Sequence, residues 1–190
     1  MKIIISGTPG VGKHTVSIEL SKMWNGFSIL DINKVILSKN LFISSESKNE
    51  IDLKKTFDLL KSLLFTKEYH NAIIVGHLAP YVIDPSLIDF VVILRRNPIE
   101  LKKVYQERSY SKKKIHDNLV SEILGIISYD FLEKFDRKYI SELEINGNVL
   151  PSFYAEKITD MYNNKALREF GMIDWLPLIQ NNPQTFKFIF

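Results

Sequence analysis

Short runs of consecutive apolar residues alternate along this chain with longer stretches in which apolar positions recur every three or four residues. The runs read as strands covered on both faces: Lys2 to Ser6, Phe27 to Leu30, Ala72-Ile73-Ile74-Val75 ended by Gly76, and Phe90-Val91-Val92-Ile93-Leu94 ended by Arg95. A last strand is expected over Leu143 to Ile145, closed by Asn146-Gly147. Between them the helical spacing predicts a helix over Thr15 to Trp24, with Val16, Leu20, Met23 and Trp24 on one face. Pro98 suits the first turn of a second helix carrying Leu101, Val104 and Tyr105. Ser111 is a plausible N-cap for a third, whose stripe is Ile115, Leu119, Ile123, Ile126 and Ile127. Tyr154, Ile158, Met161 and Tyr162 mark a C-terminal helix. Strands alternating with helices in this way predict a parallel α/β sheet.

Two stretches break the rhythm. Residues 32–65 are helical in tendency but polar from Ser44 to Glu50, which suits an inserted substrate-gripping segment. The apolar tail Phe186 to Phe190 is expected to dock on the core or on a partner.

Composition narrows the class without choosing a function. A chain of 190 residues fits one domain, residues 1–190, with a real core, and 45% apolar content is that of an ordinary soluble protein. No apolar run approaches the roughly 20 residues needed to cross a bilayer, and Met1-Lys2-Ile3-Ile4-Ile5 is too short for a signal peptide. The absence of cysteine removes disulfides, thiolate catalysis and cysteine-bound zinc, and points to a cytoplasmic protein. The net charge of +3 demands no nucleic-acid partner. Between Arg95 and Lys114, however, Arg95, Arg96, Lys102, Lys103, Arg108, Lys112, Lys113 and Lys114 face only Glu100 and Glu107. That run reads either as a solvated helical face or as a cluster for nucleotide or RNA phosphates.

The segment with the most specific chemistry is Gly7-Thr8-Pro9-Gly10-Val11-Gly12-Lys13-His14-Thr15. Glycines let backbone N–H groups turn inward as an anion nest, and the helix that follows points its N-terminus at the same place. Lys13 supplies a mobile cation for the outer phosphates, where charge must be neutralised during transfer. The pattern G-x-x-x-x-G-K-[ST] is met except that His14 occupies the Ser/Thr slot, with Thr15 behind it. A strand before and a helix after give the motif its required context. His14 is expected to line or rim the site.

This loop resembles the G-x-P-G-x-G-K-x-T loop of adenylate and other nucleoside monophosphate kinases. Gly76-His77-Leu78 after a strand, Leu94-Arg95 before a proline, and Arg108-Ser109-Tyr110-Ser111-Lys112-Lys113-Lys114-Ile115-His116-Asp117-Asn118 followed by Glu122-Ile123 narrow the match. Together they look like the archaeal and eukaryotic adenylate-kinase-like ATPases that also assist small ribosomal subunit maturation. Ile173-Asp174-Trp175-Leu176 is similar to a C-terminal segment of archaeal members. The resemblance implies an α/β P-loop NTPase fold: a five-stranded parallel sheet flanked by helices, with a nucleotide-monophosphate insert near residues 30–50 and a lid near 107–117. It implies ATP and Mg²⁺ as cofactors, AMP or another nucleoside monophosphate as acceptor, and slow ATP hydrolysis as a second activity. Carried over by position, Gly10, Val11, Gly12, Lys13, His14 and Thr15 meet the ATP phosphates, Arg108 reaches them from the lid, and Thr15 is the hydroxyl nearest the metal. Arg95, leaving a strand end, is a further candidate phosphate clamp. His77 either orders water or substrate beside the γ-phosphate or simply bonds backbone at its strand end.

The sequence departs from the family in three places. No carboxylate stands at Val75 or Gly76 to organise Mg²⁺, so Asp31, Asp84 or Asp89 must serve if any does. Residues 28–50 hold Lys34, Lys39 and Lys48 but no arginine to grip AMP. Ser109 replaces the lid glycine. Three functions compete: a nucleoside monophosphate kinase; a nucleotide-switched assembly factor whose partner is a small-subunit ribosomal protein or rRNA; and a P-loop kinase for another metabolite such as shikimate or a coenzyme A precursor, against which the lid argues.

Overall fold

A computed structural model describes all residues except 45–48, 165–166, 185–186 and 188–190. Its main sheet has five parallel strands: β1 (Lys2–Ser6), β2 (Ser28–Asp31), β5 (Ala72–Val75), β6 (Phe90–Arg96) and β7 (Ile140–Ile145). They stand in the order β2-β5-β1-β6-β7, and β3 (Phe42–Ser44) and β4 (Asn49–Ile51) form a separate antiparallel pair.

Period-two alternation along the strands builds two cores. Ile3, Ile5, Ile73, Val75, Val92 and Leu94 point to the face covered by α1 (Lys13–Met23), α5 (Pro98–Glu107) and α8 (Pro151–Tyr162). Ile4, Ile74, Val91 and Ile93 point to the other, covered by α2 (Ile32–Ser38), α3 (Leu53–Leu64), α4 (Ala79–Val82) and α7 (Ile126–Lys134). Each such fully buried aliphatic side chain contributes about 2 kcal/mol from area removed from water.

Several boundaries differ from the sequence expectation. β7 begins at Ile140, because Ser141 and Glu142 are buried polar residues that interrupt the apolar run. The predicted stripe Ile115 to Ile127 is two helices, α6 (Lys112–Ile123) and α7, since Gly125 adopts φ +63° and ends the helical path between them. The segment between β2 and β5 holds α2, the β3–β4 pair and α3; most of its polar centre, residues 45–48, falls outside the described residues. The apolar tail 186–190, apart from Lys187, also lies outside them.

The chain leaves β1 toward β2 on one side and later passes to β6 and β7 on the other. The carboxyl end of β1 is therefore the switch point at which α/β sheets bind ligands, and there the glycine loop sits.

Candidate functional site

At that edge the loop Gly7 to Gly12 turns directly into α1. Gly12, at the N-cap, has φ +107°, a conformation that side chains resist. The first intrahelical bond runs from Val16 N–H to Gly12 O at 3.1 Å. The N–H groups of Lys13, His14 and Thr15 consequently carry no intrahelical bond and face the loop. Val11 is fully buried and anchors the loop to the core.

A cavity of about 460 Å³ opens over the loop. Pro9, Gly10, Lys13 and His14 contribute from the loop, Asp31 and Asn33 from the β2–α2 junction, Gly76 and His77 from the end of β5. The α5–α6 connection closes it with Arg108, Tyr110, Lys114 and Asn118. Tyr110 stacks on Tyr105 with ring centroids 5.5 Å apart, and Tyr105 donates its hydroxyl to Pro9 O, tying this connection to the loop. Lys114 Nζ lies 3.9 Å over the Tyr110 ring. Asn118 Nδ2 is buried at the cavity wall and has no hydrogen-bond partner, a donor waiting for an acceptor.

Lys13 is folded back onto the loop, with Nζ donating to Gly7 O at 2.8 Å and Thr8 O at 3.0 Å. Burial pushes its ammonium down from the ordinary 10.5 to about 8, helped by Arg108 and opposed by Glu122 and Asp31. His77 is half-buried, and its burial together with the Lys13 charge pushes its imidazole down to about 4. It is neutral at pH 7 and offers a hydrogen bond, not a charge.

Among the three aspartates proposed for the missing carboxylate, only Asp31 lies in the cavity. Asp84 pairs with Lys61 at 2.8 Å, and Asp89 accepts from Lys2 N–H at the opposite end of the sheet. Asp31 is buried; its Oδ1 caps α2 by accepting from Lys34 N–H, and its Oδ2 lies 2.8 Å from His14 Nε2. A side chain at Gly76 is sterically excluded, since its Cβ would come 2.9 Å from Ile32 Cβ. Among the described residues no three His, Asp or Glu side chains gather as a metal cluster. The donor set suits a divalent ion that takes its remaining ligands from phosphate and water.

Two expectations are corrected. Arg95 is not a phosphate clamp: its guanidinium is buried and committed to Glu122 Oε1 and Glu142 Oε1, both at 2.8 Å, and to Glu122 O at 2.7 Å. Thr15 is exposed and does not line the cavity, because about 100° of rotation per helical residue carries it some 200° from Lys13. The basic run likewise splits. Arg96 pairs with Glu100 at 2.9 Å, Arg95 is sealed inside, and Arg108 and Lys114 enter the cavity.

Glu122 emerges as a residue that pattern alone did not single out for any task. Its Oε2 accepts from the Thr8 hydroxyl at 2.6 Å, while Oε1 accepts from Arg95 Nε and from Trp175 Nε1 at 3.1 Å. One carboxylate thus joins the glycine loop, the end of β6 and the C-terminal segment.

The model of the AAA domain family matches residues 3–125. A protein of Thermococcus onnurineus named "Putative adenylate kinase" is 30% identical over 175 residues, 92% of this chain and 91% of that protein. One of the same name from Saccharolobus solfataricus is 31% identical over 184 residues, 93% of this chain and 88% of that one. Among solved structures, shikimate kinase from Bacteroides thetaiotaomicron aligns with a TM-score of 0.62 at 14% identity, over 86% of this chain and 98% of that one. Shikimate kinase from Acinetobacter baumannii gives 0.59 at 21%, over 87% and 94%. At such identities these two show a shared fold alone. With the glycine loop at the switch point and the archaeal relatives matching nearly end to end, the chain belongs to the adenylate-kinase-like P-loop family.

Proposed function

We propose that this protein is a nucleoside monophosphate kinase that moves the γ-phosphoryl group of ATP to AMP, giving two ADP. The observation that carries this reading is the convergence of Lys13 and Arg108 on one cavity, above a loop whose helix N-terminus presents unbonded N–H groups. The Asn118 amide at the same wall adds a buried donor that has no protein partner.

Transfer between two phosphates needs alignment and charge neutralisation more than covalent help. In this reading Gly10 to Thr15 hold the ATP phosphates through backbone N–H groups. Lys13 leaves Gly7 O and Thr8 O to follow the γ-phosphoryl group, and Arg108 neutralises the charge from the lid side. His77, being neutral, orders the acceptor oxygen or excludes a competing water. A bound divalent ion would be held by Asp31 and would neutralise charge on the phosphate oxygens.

The test is direct. Protein, ATP, a divalent ion and each of AMP, CMP, GMP and UMP are mixed and the diphosphates measured. AMP-dependent ADP formation is expected. Retained ATP hydrolysis with no diphosphate above background from any acceptor would reject the kinase reading in favour of a nucleotide-switched factor.

A further inference from the structure

The position after the loop lysine usually offers a hydroxyl to Mg²⁺. This chain offers an imidazole, and the imidazole has a partner. His14 Nε2 stands 2.8 Å from Asp31 Oδ2, and both line the cavity with Lys13. Neighbouring donors on a six-coordinate divalent ion are about 3 Å apart, so the pair already has a chelating separation.

The surroundings hold it there. Asp31 is buried, and its Oδ1 is used as the N-cap of α2, which leaves Oδ2 to the cavity. The His14 side chain is 51% exposed, which keeps its far side open to phosphate and water. The end of β5 brings no competing carboxylate, since Val75 has no donor, Gly76 has no room for a side chain, and the residue that follows them, His77, offers a nitrogen. Imidazole nitrogen suits first-row transition ions, whereas Mg²⁺ prefers oxygen ligands.

Resting on the nucleotide site described above, we propose that His14 and Asp31 together ligate the divalent ion that enters with ATP, and that this pair makes the site prefer Mn²⁺ or Co²⁺ to Mg²⁺. The ion takes the place of the Nε2 proton, leaving a neutral imidazole protonated at Nδ1. The departure at position 14 and the missing carboxylate at the end of β5 then answer one another. The cation's protein ligands have moved from β5 to the β2–α1 side of the loop.

The test compares the wild-type protein with His14→Thr and Asp31→Asn, using a non-hydrolysable ATP analogue. The amide oxygen introduced by Asp31→Asn would still cap α2, so the second variant keeps the helix start. Calorimetry in EDTA measures nucleotide binding by the loop alone. Electron paramagnetic resonance then measures Mn²⁺ binding to the protein–analogue complex, with Mg²⁺ as competitor, and pulsed spectra read ¹⁴N coupling to the ion. The wild type should show directly bound imidazole nitrogen and a Mn²⁺ over Mg²⁺ selectivity at least tenfold above that of His14→Thr. Asp31→Asn should weaken Mn²⁺ binding at least tenfold. If the analogue binds in EDTA but ¹⁴N coupling is absent, or selectivity is unchanged in His14→Thr, the cation proposal is overturned and the nucleotide site stands. If the wild type binds no analogue with or without metal, both fall.

Discussion

Replacing Lys13 by methionine should stabilise the unliganded fold while abolishing its response to ATP. Methionine keeps the length and apolar stem of lysine but removes the charge. In the fold that charge is buried, and its pKa falls from 10.5 to about 8. At about 1.4 kcal/mol per unit, the protonated side chain is disfavoured by about 3 kcal/mol relative to water. Gly7 O and Thr8 O lose their donor in the variant, at roughly 1 kcal/mol each, though both border an open cavity that water can enter. The expected net gain at pH 7 is therefore about 1–2 kcal/mol, read as a higher urea midpoint. The sign with pH follows from linkage. Between about pH 8 and 10.5 the unfolded chain binds more protons at this lysine than the folded one, so wild-type stability rises through that window relative to the variant. The variant's advantage should be flat below pH 8, shrink above it and reverse before pH 10.5, because the wild type recovers about 3 kcal/mol across that window. A variant less stable than wild type at pH 7, or a gap unchanged from pH 7 to 10.5, would refute the picture of Lys13 as a desolvated cation held ready for phosphate. Thermal shift with ATP is the functional arm: wild type should respond by mass action, the variant not at all.

Three other outcomes follow from the same geometry. Ser109 sits at φ +53° where the family's lid has glycine, so Ser109→Gly should relieve about 1 kcal/mol of backbone strain, less the entropy that glycine adds to the unfolded chain; urea titration reads the difference. Glu122→Gln leaves Arg95 buried with one carboxylate where it had two; the expected cost is about 3 kcal/mol in chemical denaturation, with a shift in Trp175 emission measured in a Trp24→Phe background. His77 is held down to about 4, so between pH 6.5 and 4 the unfolded chain binds more protons there and the fold loses up to about 3 kcal/mol on acidification; His77→Asn should flatten that part of the stability profile, and an unaltered acid limb would count against the burial assignment.

The residues legible in sequence were those whose partners are near in the chain. The loop, its flanking strand and helix, and the apolar strands β5 and β6 declare themselves because nest, helix start and core faces are local patterns. Asp31 was legible only as one of three acids, since nothing but the sheet order brings the end of β2 beside α1. Arg95 was misread for a reason parity could have corrected. Leu94 points to the face that α1 covers, so Arg95 must point to the other, with Val91 and Ile93, toward Gly125 and Ser128 around α7. The first half of β7 escaped notice because the two buried residues that follow Ile140, Ser141 and Glu142, are polar. Ser141 donates to Glu169 O at 3.0 Å and Glu142 pairs with Arg95, contacts that no hydrophobic period records.

Arg95's real position explains how the glycine loop keeps its shape before any phosphate arrives. A nest of inward N–H groups repels itself unless something holds the outward carbonyls and side chains. Lys13 does so from within, through Gly7 O and Thr8 O; Glu122 does so from behind, through the Thr8 hydroxyl. The two holds differ in permanence. Lys13 is desolvated and bonded only to two carbonyl oxygens, so a phosphate can draw it off. Glu122 is locked by Arg95 and Trp175 and remains when Lys13 leaves. Glu122 also raises the affinity of Lys13 for its proton against the burial that lowers it, so the cation survives at neutral pH although it is buried. An arginine bound to two carboxylates leaves a residual negative charge behind the loop, which helps retain the Lys13 proton while Arg95 keeps those acids from repelling the incoming phosphates at full strength. In the proposed reading the sealed cluster is the fixed half of a preorganised phosphate site whose movable half is Lys13 and Arg108.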